Sequence, residues 1–220
     1  MKTILLASAL TLGLAAPLLA QESAGAGQLD DGPYDLLFRT GTLDGLPRED
    51  AIVYEKVVTN HFTPAAATQE TGEVELTFEG GEPEMVQLRF LKDGRHRGIG
   101  EFPASVGNPI ILYFMESVVR DMASSAGGSP FYIRNRVKAA LLEPAADEQG
   151  GADGQTVAVT LRPFEGDPNA SRMQGFEHLA LTVTMSEDVP GWYTSLAAVV
   201  PGEGGGEPVY SSILTLEPGE

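Results

Sequence analysis

Cysteine is absent from this 220-residue sequence. Disulfides, thiolate metal sites and catalytic thiols go with it, so stability must come from packing and sheet pairing. Positive charge is scarce: 14 Lys and Arg stand against 31 Asp and Glu, for a formal net charge of −17. Such a field repels phosphate backbones and anionic lipid surfaces, so no nucleic-acid partner is expected, and its plainest consequence is solubility. Histidines are few. His61, His96 and His178 lie far apart with no pair at ligand spacing, and no metal site is assigned. The G-x-S-x-G elbow, the G-x-G-x-x-G loop and the Walker-type Gly-Lys-Ser/Thr loop are all missing, so no catalytic residue and no cofactor is assigned. The acidic segment Asp147 to Asp153 lacks the alternating oxygen ligands and closing glutamate of an EF-hand and reads as a solvated loop.

There is one long hydrophobic run. Lys2 precedes an apolar stretch from Ile4 to Leu19, Ala20 is small, and Gln21, Glu22 and Ser23 are polar. A charged start, an apolar middle and a small residue at the boundary are the marks of a secretory signal peptide over residues 1–20, with a periplasmic destination. Gly13 and Pro17 interrupt the run, which is too short for a retained anchor, and no Cys follows it to be acylated. No membrane span is expected after cleavage. Residues 21–33, rich in Gly, Ala and acid, read as a disordered leader, and residues 34–220 as a single domain.

Within that domain the clearest signal is period 2. Val74, Leu76 and Phe78 alternate with Glu73, Glu75 and Thr77, and after a Gly-Gly-Glu-Pro turn Val86, Leu88 and Phe90 alternate with Gln87 and Arg89, which predicts a hairpin. Strands are also expected over Tyr34 to Thr40, Ala51 to Thr59 and Arg97 to Phe102. The last third adds Val157 to Leu161, Leu179 to Met185, Trp192 to Val200 and Val209 to Leu216, joined by a loop over 144–155 and by Gly- and Pro-rich turns.

In the middle the period changes to that of a helix. Asn108-Pro109 and Ser129-Pro130 each place a capping residue before a proline, and Gly127-Gly128 separates the two segments, so helices are predicted over about 109–125 and 130–142. The first carries Ile111, Leu112, Met115, Val118, Val119 and Met122 at helical spacing. The second buries Ile133, Val137, Ala140 and Leu141 and should expose Arg134, Arg136 and Lys138. The expected architecture is α+β: a curved antiparallel sheet or half-barrel of about nine strands, with the central helical pair covering one face. The layout of signal peptide, curved sheet and covering helices resembles periplasmic lipoprotein and lipid carriers in architecture alone.

Two candidate sites follow. The first helix is nearly apolar all round in its first half, so it is either sandwiched or lines a cavity. A cavity between sheet and helix would place an apolar ligand against Ile111, Phe114, Met115 and Val118. The second helix gathers Phe131, Tyr132, Arg134, Arg136 and Lys138 in an otherwise acidic chain, a patch for an anion or an envelope protein, unless these cations pair with the chain's own carboxylates. The leading expectation is a non-catalytic periplasmic binding or accessory protein. Its rivals are a secreted hydrolase whose carboxylates or histidines converge only in the fold, and an envelope scaffold that binds another protein through a sheet edge or the cationic helix.

Overall fold

Alternating apolar and polar residues place one face of most strands inward, and the described residues form nine strands. The computed structural model describes residues 33–145, 147–151 and 155–218. The expected signal peptide, the leader up to residue 32 and Asp153 lie outside the described residues. The strands are β1 (Ile52–Asn60), β2 (Gly72–Glu79), β3 (Met85–Lys92), β4 (Arg95–Pro103), β5 (Asp147–Gly150), β6 (Thr156–Leu161), β7 (Ala180–Ser186), β8 (Tyr193–Val200) and β9 (Tyr210–Leu216). They make one open antiparallel sheet in the order β4-β3-β2-β1-β9-β8-β7-β6-β5, not closed into a barrel. Four helices pack on it: α1 (Pro33–Leu37), α2 (Pro64–Glu70), α3 (Ile110–Ala126) and α4 (Pro130–Ala140).

The strand order explains the position of the helical pair. β1 and β9, the first and last strands, pair at the centre of the sheet, so the strands from the middle of the chain, β4 and β5, are its edges. The segment joining those edges has to cross the sheet, and that segment contains α3 and α4. Its apolar side chains then meet the inward residues of the strands. Ile110, Phe114 and Val118 of α3 are buried with Val74 and Leu76 of β2, Leu88 of β3, Leu196 of β8 and Leu214 of β9 in one core. Each such side chain contributes about 1.5–3 kcal/mol when fully buried.

Both cap-plus-proline signals mark true helix starts. The Asn108 Oδ1 accepts the Ile110 N–H at 3.0 Å, whereas Ser129 makes no side-chain cap and Pro130 alone opens α4. Gly127 and Gly128, with φ of 75° and 93°, end α3 in the left-handed region where a side chain is strained.

Several expectations are corrected. Tyr34 to Thr40 is not a strand but begins with the short helix α1: Pro33 pre-sets the helical φ, the Phe38 N–H donates to the Tyr34 carbonyl at 2.9 Å, and the Tyr34 and Phe38 rings stack at 5.0 Å. The loop over 144–155 contains β5, whose four exposed residues offer no apolar alternation and which exists only by pairing with β6. Thr63-Pro64 repeats the device that opens the longer helices and starts α2, a helix not among those predicted. Trp192 precedes its strand, at φ 81°. Among the described residues no helix is long and apolar enough to cross a membrane.

Candidate functional site: an apolar cleft where three helices meet

The interface between α3 and the sheet is closed and fastened by polar bonds. Inward positions of β1 carry Tyr54, Lys56 and Asn60, the same parity as Ile52 and Val58. Lys56 is wholly buried, and its ammonium donates to the Tyr113 hydroxyl at 3.0 Å and to Glu70 Oε2 at 3.2 Å. Asn60 Nδ2 donates to Ser125 Oγ at 2.8 Å, and the Tyr210 hydroxyl of β9 donates to Asp121 Oδ2 at 2.9 Å. Tyr113, Ser117, Asp121 and Ser125 recur four residues apart, so a polar stripe runs along α3, and three of its members bond to the chain beneath.

Burial sets the electrostatics of this interface. It raises the Asp121 carboxyl above its ordinary value, opposed by the Tyr210 hydrogen bond and the Lys56 charge. It would raise Glu70 as well, but the charges of Lys56, Arg97 and Arg120 and the Lys56 hydrogen bond outweigh it and hold that group low. Tyr210 is pushed up by burial and then by the Asp121 charge.

The open apolar space lies elsewhere, at the N-terminal end of α3. A cleft of about 590 Å³, within the range of small-ligand sites, is walled by Tyr34 and Phe38 of the α1 turn, by Val106 to Pro109, by Ile111 and Leu112, and by Lys138, Leu141 and Leu142 at the end of α4. Among the described residues, four of the eight exposed large hydrophobic side chains line it: Tyr34, Val106, Leu112 and Leu142. The surfaces of monomeric soluble proteins seldom gather such residues without a use.

Its walls are held by the chain's own polar groups. The Trp192 Nε1–H donates to the Leu36 carbonyl at 3.1 Å and the Tyr193 hydroxyl to the Leu37 carbonyl at 2.5 Å, which satisfies the last two carbonyls of α1. Asn108, 3% exposed, donates through Nδ2 to the Tyr54 hydroxyl and the Gly191 carbonyl, both at 3.0 Å, while its backbone N–H reaches Thr42 Oγ1 at 2.9 Å. Burial pushes the Tyr54 and Tyr193 hydroxyls well above their ordinary range, so both stay neutral donors. Gly107, at φ 92°, lets the chain pass where a Cβ would come within 2.5 Å of the Arg39 carbonyl.

The two predicted residue sets meet in this cleft, one member from each. Of Ile111, Phe114, Met115 and Val118, only Ile111 lines it, and the other three are packed in the core. Of the cationic set, only Lys138 lines it. Arg134 and Arg136, expected to be exposed, are half-buried: Arg134 grips Glu116 in two hydrogen bonds of 2.6 and 2.7 Å, and Arg136 Nε sits 2.9 Å from Asp167 Oδ2. The Tyr132 hydroxyl also bonds Asp167, and Phe131 is left 74% exposed. Arg134 holds the Glu116 carboxyl low. For Asp167 burial acts upward, but Tyr132, the Asn169 N–H and Arg136 together outweigh it and keep the carboxyl below its ordinary value. The signals missed in the sequence were the four-residue recurrence of polar residues in α3 and the Lys and Asn at inward positions of β1.

His178 Nε2 is 3.9 Å from Glu177 Oε1 at an exposed position, and no hydrogen bond between a histidine and a carboxylate or hydroxyl is present among the described residues. No group of three or more metal-ligating side chains occurs among them either.

No protein-family model matches this chain, and no curated protein matches it. Among solved structures, the lipoprotein LppX of Mycobacterium tuberculosis aligns over 76% of this chain and 84% of its own at 11% identity. Its TM-score of 0.27 is too low to carry an argument about fold or ligand.

Proposed function

We propose that this chain is a periplasmic binding or accessory protein that holds an apolar small molecule in the cleft between α1, α3 and the end of α4. The observation that carries the reading is the gathering of Tyr34, Val106, Leu112 and Leu142, partly open to solvent, around one concavity of ligand size. Export rests on the charge and hydropathy pattern of residues 1–20. The test is native mass spectrometry of protein purified from its own cells, before and after denaturation and refolding. A lipid-sized mass that is lost on refolding, and absent from a Leu112→Glu, Leu142→Glu double variant, supports the reading. A bare protein mass, with no uptake of alkyl ligands by the refolded protein, overturns it.

A second reading has one observation of its own. Phe131 at the start of α4 is 74% exposed, with the Arg134 guanidinium 5.8 Å from its ring centre, as an anchor for another protein would be. Crosslinking from residue 131 in the envelope that captures one defined protein, lost in Phe131→Ala, supports it; an unchanged crosslinking pattern in that variant rules it out.

A further inference from the structure

Resting on the reading of the cleft as a ligand site, we infer that its ligand is a single-chain amphiphile with an anionic head, of the fatty carboxylate class, whose head is met by Lys138. The chain carries 31 Asp and Glu against 14 Lys and Arg, yet among the described residues none that lines the cleft is acidic and two are basic, Arg39 and Lys138. This is the reverse of the field over the rest of the molecule.

The two cations are not equivalent. Arg39 pairs with Glu187 at 2.9 Å and lies over the Trp192 ring at 4.5 Å, so its charge is already answered. Among the described residues the Lys138 ammonium makes no hydrogen bond and no ion pair. Its field reaches Glu116, which Arg134 already holds in two hydrogen bonds. The backbone does not decide the sign, because the positive N-terminus of α3 and the negative C-terminus of α4 both border the cleft and oppose one another. The side-chain charge is left to choose, and it favours an anion. The apolar side chains of Ile111, Leu112 and Leu142 offer the alkyl chain its surface.

The experiment compares three probes of one chain length and different head charge, each below its micelle concentration: myristate, tetradecanol and tetradecyltrimethylammonium. Binding is read by calorimetry on purified protein. Myristate is expected to bind about tenfold or more tighter than the other two, against the net field of the chain, which favours the ammonium. Lys138→Glu should weaken myristate about tenfold and leave tetradecanol within about twofold. The charge-matched Arg95→Glu, on an exposed strand away from the cleft, should change none of the three. If tetradecanol or the ammonium probe equals myristate, if Lys138→Glu has no effect, or if Arg95→Glu weakens myristate as much, the anionic-head inference is overturned while the apolar cleft stands. If none of the three probes binds, the ligand-site reading itself fails.

Discussion

The two sides of α3 make opposite use of the same helix. Toward the sheet, Tyr113, Asp121 and Ser125 meet Lys56, Tyr210 and Asn60 through hydrogen bonds. At its N-terminal end, Ile111 and Leu112 face a cleft shared with the turn after α1 and the end of α4, where large apolar side chains remain exposed. An apolar helix is therefore no guide to where a ligand sits. The open face is the one whose neighbours are too short, or too far apart, to cover it.

The largest effect that would break this contrast is at Lys56. Lys56→Ala takes the donor from the Tyr113 hydroxyl, leaves Glu70 to Arg97 alone and empties a wholly buried site, and the loss expected is about 3 kcal/mol in urea unfolding. A loss below about 1 kcal/mol would mean that the closed interface is held by apolar packing alone.

Next in size is Asp167→Asn, with an expected loss of about 2 kcal/mol at neutral pH, since Asp167 is 5% exposed and bonded to Tyr132 and the Asn169 N–H. Its folded value is depressed, so its contribution is present above the unfolded value of about 3.9 and fades as pH falls below it; the gap between variant and wild type should close there. Asp121→Asn should show the opposite slope. The folded Asp121 value is raised, so the wild type loses stability as pH rises through it, and the variant gains on the wild type across that range. Parallel slopes for the two variants in pH-dependent unfolding would contradict the electrostatics described for Asp121 on α3 and for Asp167 beside α4.

Smaller still, Leu142→Glu in the cleft should change stability by no more than about 0.5 kcal/mol, because the side chain is 80% exposed, while abolishing retention of an alkyl ligand in native mass spectrometry. The least effect is expected for Phe131→Ala, within about 0.5 kcal/mol and without change in ligand retention. Equal loss of ligand in both variants would show that the cleft is not distinct from the α4 surface.

Much of the fold was legible because it rests on periodicity. The alternation of Val74, Leu76 and Phe78 names an inward face whatever that face meets, and Pro109 and Pro130 start helices by a local constraint on φ. The start of α2 at Thr63-Pro64 was a local signal left unused, but other elements had no sufficient local cause. β5 has no apolar residue and is a strand only because β6 offers it an edge. Tyr34 and Phe38 look strand-forming, yet the carbonyls at the end of α1 are claimed by Trp192 and Tyr193, more than 150 positions away.

By itself, then, the sequence determined the antiparallel strands, the two long helices, the α+β class and the residue types from which a ligand site could be made, since charge, cap and period act over a few residues. The tertiary structure alone decided that Lys56 and Asp121 would close the face beneath α3, that Arg134 and Arg136 would be taken by Glu116 and Asp167, and that Ile111 and Lys138 would meet in one cleft. These outcomes depend on which distant strands become neighbours. That choice follows from pairing β1 with β9 and carrying the chain across the sheet from one edge to the other.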